Sequence, residues 1–78
     1  MLQEAEARYL RVEGITAGRA TYNLACVSAR RGDAGACQSW LRRAKDHGRL
    51  PDKEHLLRDP DLAPVRNEAW FQAFLSEL

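Results

Sequence analysis

Arg19, Tyr22, Cys26 and Arg30 are separated by three, four and four residues. On a helix that spacing stacks them along one narrow face, because residues three and four apart are surface neighbours. Two guanidinium groups flanking an aromatic ring suit a carboxylate ligand, since the arginine fork meets carboxylate oxygens in pairs. The chemistry that follows is capture of an acidic or C-terminal peptide. The bland alternative is a solvated face with one packed tyrosine, since exposed arginine is ordinary.

Cys26, Cys37, His47 and His55 contain every atom type a zinc site uses. Their consecutive separations of eleven, ten and eight residues match no short ligand pair, so no metal is expected. Nothing marks an oxyanion hole or a third residue to orient a cysteine and histidine pair, so no catalytic residue is assigned. The carboxylates of Asp59-Pro60-Asp61 are accounted for by helix capping. Gly14, Gly18, Gly32 and Gly35 fall at helix ends, without the strand and Lys-Ser/Thr pair of a phosphate loop. The chain reads as a protein that binds rather than an enzyme, with no cofactor.

Four segments carry the helical periodicity that must position these side chains. Leu2, Ala5, Tyr9 and Val12 form the apolar stripe of a first helix over residues 1–13, stopping near Gly14. Thr16 is the expected N-cap of a second helix, which Gly32 ends by taking a left-handed backbone. Asp33 then caps a third helix with Cys37, Trp40, Leu41 and Ala44 on one side and Ser39, Arg42, Arg43 and Asp46 on the other. Gly48 closes it. Pro51, Pro60 and Pro64 limit the next stretch to short turns started by Asp52 and Asp59. Asn67 is the expected cap of a last helix whose Trp70, Phe71, Phe74, Leu75 and Leu78 must be buried. No stretch alternates apolar with polar over several residues, so the expected fold is all-α.

Composition agrees with a single small globular unit. Apolar residues make up 45% and charged residues 29%, which is neither disordered nor fibrous. Twelve basic against eleven acidic residues leave a net charge of +1, with the signs interleaved. That balance gives little attraction to phosphate backbones or anionic lipid, so nucleic acid and membrane are not expected partners. No apolar run approaches the roughly 20 residues needed to cross a bilayer, and the N-terminus lacks the pattern of a secretory signal, which makes a cytoplasmic location the expectation. Both cysteines fall within apolar helical patterns and are expected to be reduced, core-like residues.

The run Tyr22-Asn23-Leu24-Ala25-Cys26-Val27, then Gly32-Asp33, Cys37, Trp40-Leu41 and Ala44, resembles a tetratricopeptide repeat (TPR), a 34-residue helix-turn-helix unit. The segment Leu56-Leu57-Arg58-Asp59-Pro60-Asp61-Leu62-Ala63-Pro64-Val65-Arg66 with Phe71 resembles the extension of the variant that closes such arrays. The likeness covers residues 17 to 75. It implies antiparallel helical hairpins, with a hairpin over 16–48 and an extension and capping helix over 49–78. Three positions depart from the usual pattern: Cys37 replaces alanine, Ser28 an aromatic, and Arg49 proline. The resemblance implies a scaffold that binds a peptide or protein segment, with Arg19, Tyr22, Asn23, Cys26 and Arg30 on the groove face. One hairpin and a first helix are fewer than the roughly three units solenoids need, so the alternative is a structural cap or a homodimer with no peptide groove in use.

Overall fold

The computed structural model describes residues 2–15 and 20–78. Thr16 and Arg19 lie outside the described residues. Every regular element among the described residues is helical. In chain order these are α1 (Leu2–Ile15), α2 (Thr21–Arg30), α3 (Ala34–Asp46), α4 (Lys53–Arg58), a 3-10 segment (Pro60–Val65) and α5 (Ala69–Ser76).

Local chemistry explains most of the boundaries. At the end of α2, Gly32 adopts φ of 79°. Its amide donates to the Ala29 carbonyl at 3.1 Å, and that of Asp33 to Ser28 at 2.9 Å. This doubly bonded left-handed ending satisfies carbonyls the helix leaves free. Asp33 then begins α3 by accepting from the Ala36 amide at 3.1 Å. The same ending recurs at Gly48, with φ of 67° and amides of Gly48 and Arg49 on Lys45 and Ala44. Asp52 caps α4 through the His55 amide, and Asp59 caps the 3-10 segment through the Asp61 amide, both at 2.9 Å. α5 departs from expectation: Glu68, not Asn67, holds the cap position, and its side chain makes no capping bond.

α2 is the centre of the packing. It lies against α1, α3 and the 3-10 segment. The small side chains of Ala25, Cys26 and Ala29 let those neighbours approach closely, as dense packing between helices requires. With Cys37, Leu41, Leu56, Leu62, Val65, Phe71, Phe74 and Leu75 they form one core. Ser28 and Thr21 are also buried. Trp40 and Trp70 pack against the core only half-buried, and Leu78 is 43% exposed, so the aromatic side of α5 is less continuous than its pattern.

Candidate functional site

Tyr22, Asn23, Cys26 and Arg30 all sit on α2, but they do not share one environment. Cys26 is buried, Tyr22 is half-buried, and Asn23 and Arg30 are exposed. The first turn of the 3-10 segment and the end of α4 cover the Tyr22 side. The Tyr22 hydroxyl donates to Asp59 Oδ2 at 2.5 Å, and the Cys26 thiol lies 3.9 Å from the same oxygen. His55 Nε2 is 3.5 Å from it. The Tyr22 and His55 rings meet edge to face, with centroids 5.9 Å apart. One turn further along α2, Arg30 Nε faces Asp61 Oδ1 at 3.8 Å. The carboxylates expected of a ligand are thus supplied by this chain.

Asp59 is the hub because one carboxylate performs two tasks. Its Oδ1 starts the 3-10 segment while its Oδ2 receives the Tyr22 hydroxyl. Burial pulls its pKa up, but the Tyr22 hydroxyl, the Asp61 amide and His55 outweigh that and hold it below the usual carboxylate range. Burial, reinforced by the hydrogen bond to Asp59, pushes the Tyr22 phenol up. The Cys26 thiol is pushed up to about 12, by burial first and then by the Asp59 charge. Cys37 is likewise pushed up to about 12, by burial and Asp33. Both cysteines are free, and at neutral pH they stay protonated and poorly nucleophilic.

Cys26, Asp59 and Asp61 offer ligand atoms within 4.8 Å of one another. The groups are already engaged: Tyr22 donates to Asp59, Arg30 faces Asp61, and the thiol keeps its proton. His47 is not part of this cluster.

His55, Asp59 and Asp61 are the members that spacing along α2 could not reveal. Asp59 stands 37 residues from Tyr22, and its local signal, an aspartate before Pro60, speaks only of capping. No protein-family model matches the chain, and neither a curated protein nor a solved structure matches it. No described helix is long and apolar enough to cross a membrane.

Proposed function

We propose that the chain is a protein-interaction module of tetratricopeptide type, acting as the closing unit of a helical array. The observation that carries this reading is the occupation of the α2 face by Asp59 and Asp61 of the same chain. A peptide seeking Tyr22 and Arg30 would have to lift the 3-10 segment. That segment brings Leu62, fully buried, and Val65, 3% exposed, into the core. Exposing two such side chains costs about 3–6 kcal/mol, more than a short peptide's polar contacts return. The extension therefore suits a permanent cover better than a displaceable one. The face left open is the outer one of α1, where Ala7 is exposed and Leu10 is 45% exposed, opposite the half-buried Ala5, Tyr9 and Val12. An adjoining repeat stacking there would complete the burial, which is how repeats in an array stabilise one another.

Joining one consensus repeat ahead of α1 tests the reading. The expected result is a melting temperature raised by about 5–15 °C in a single cooperative transition. Two separate transitions, with the original midpoint unchanged, would sink it. Peptide capture on α2 remains the second reading. Titration with an acidic peptide, followed by nuclear magnetic resonance at Tyr22, Asn23 and Arg30, discriminates the two. Saturable shifts at those residues would favour capture over closure.

A further inference from the structure

We propose that two copies of this chain pair antiparallel through the outer face of α1. The pairing uses the face that the closing-unit reading leaves open and adds a specific occupant to it. α1 lies on α2 with Ala5, Tyr9 and Val12 turned inward, and this leaves Glu4, Ala7, Arg8, Leu10 and Arg11 exposed. Ala7 and Leu10 are three residues apart and share the outermost strip. Glu4 and Arg11, two turns apart, line the same edge of that strip. Among the described residues neither has a salt-bridge partner, whereas Glu6 on the inner side is taken by Arg31.

Charge decides the direction of pairing. The edge of the strip runs from an acid near its beginning to a base near its end. A parallel two-fold partner would put its own Glu4 and Arg11 on the far edge of the contact, leaving neither charge an opposite partner across it. A two-fold axis that reverses the partner sets Glu4 beside Arg11 of the second copy, and the reciprocal pair follows by symmetry. With Ala7 of one copy under Leu10 of the other, the Glu4 and Arg11 backbones lie about 3 Å apart along the helix axis, well within side-chain reach. The small Ala7 leaves room for the opposing leucine. Arg8 points further around the helix and stays in water.

A single helix pair about 21 Å long offers less than the roughly 800 Å² per partner of a stable complex, so the dissociation constant should fall between about 10 µM and 500 µM. Sedimentation equilibrium of the whole chain, from about 10 µM to about 1 mM, should show the average mass rising from 8.8 kDa toward twice that value. Glu4→Arg and Arg11→Glu should each weaken self-association about tenfold, because each replaces two attractive pairs by two repulsive ones. An equimolar mixture of the two variants should associate at wild-type strength, since the swapped charges are complementary again. Leu10→Gln should also weaken it. All these positions are exposed, so circular dichroism should confirm an unchanged fold. A wild-type chain monomeric throughout, or a mixture that associates no better than either variant alone, overturns the pairing. The joined-repeat melting shift is read at about 1 µM, below this self-association, so neither outcome touches it.

Discussion

Replacing Asp59 by alanine removes both tasks of its carboxylate at once, and the cost can be divided. Loss of the cap on the Asp61 amide is worth about 1 kcal/mol. The Tyr22 hydroxyl, half-buried and 2.5 Å from Oδ2, loses its acceptor, worth about 1–2 kcal/mol. The side chain of Asp59 is only 13% exposed, so water replaces little of either. The total, about 2–3 kcal/mol, corresponds to a melting temperature lowered by about 10–20 °C in a domain of this size. Tyr22→Phe alone should cost about 1–1.5 kcal/mol, and the double variant should cost less than the two singles summed by about 1 kcal/mol. Asp59→Asn separates the tasks, because asparagine caps about as well as aspartate but accepts the phenol without a charge. Urea unfolding followed by the fluorescence of Trp40 and Trp70 measures each variant, since both indoles are half-buried and report on opening of the core. A coupling near zero between Tyr22 and Asp59 would refute the hub, whatever the cost of either single change.

Gly32→Ala should destabilise by about 1–2 kcal/mol because φ of 79° strains any side chain, although no atom lies within 4 Å of the added Cβ; thermal melting reads it, and an unchanged midpoint would contradict the left-handed ending. Cys26 and Cys37, both pushed up to about 12, should react with a disulfide reagent at pH about 8 roughly a thousandfold more slowly than free cysteine, and fast labelling of the native chain would show that one is not enclosed as described. Hydrogen bonds from Arg42 at 2.7 and 2.8 Å and from Lys45 at 3.0 Å hold the Glu77 carboxyl down at about 2. A lowered folded pKa stabilises above the unfolded value of about 4.3 and stops doing so as pH falls through the folded one. The stability gap between wild type and Glu77→Gln should therefore be constant at neutral pH and close as pH falls from about 4.5 toward about 2; a gap that stays open would mean that Glu77 is not held by those cations.

The parts of this structure that could be read in advance are those whose causes lie within five residues. Gly32, Asp33, Gly48, Asp52 and Asp59 each end or begin a helix through bonds to near neighbours, and residue type alone implies them. The cap of α5 is set by backbone direction rather than by residue type. Asn67 has the chemistry of a cap, yet the chain turns into helix only after Glu68, whose carbonyl accepts from the Phe71 and Gln72 amides at 3.1 Å. Periodicity located the cores of α2 and α3 but not the identity of what covers them. Capping is the role that the local sequence Asp59-Pro60-Asp61 implies, and it does explain the Asp59 Oδ1 bond. It says nothing of the Tyr22 hydroxyl on the opposite oxygen or of Arg30 beside Asp61, both more than 30 residues earlier on α2. Contacts of that span follow from how the short turns after Pro51 fold back, and turn sequences encode direction poorly over such distances.

The burial of α2 has a consequence for where any partner can be recognised. Seven of its ten residues are buried, and of the rest Tyr22 is held by Asp59 and Arg30 faces Asp61. A helix enclosed on three sides can transmit packing but offers almost no side chains for choosing a partner. On the proposed reading, the outer faces of α1 and α3 are the helical surfaces next to α2 that remain for choosing a partner. On α3, Arg43 stacks over the half-buried Trp40 at 5.1 Å, and Arg42 is committed to Glu77 and to the Phe74 ring. The charges there are largely satisfied within the chain. Those on α1 include Glu4 and Arg11, which no described residue neutralises. Unspent charge beside an exposed leucine is where an added contact costs least desolvation and returns most attraction. On the proposed closing-unit reading, a neighbouring repeat or a second copy is therefore expected at α1 rather than at α3.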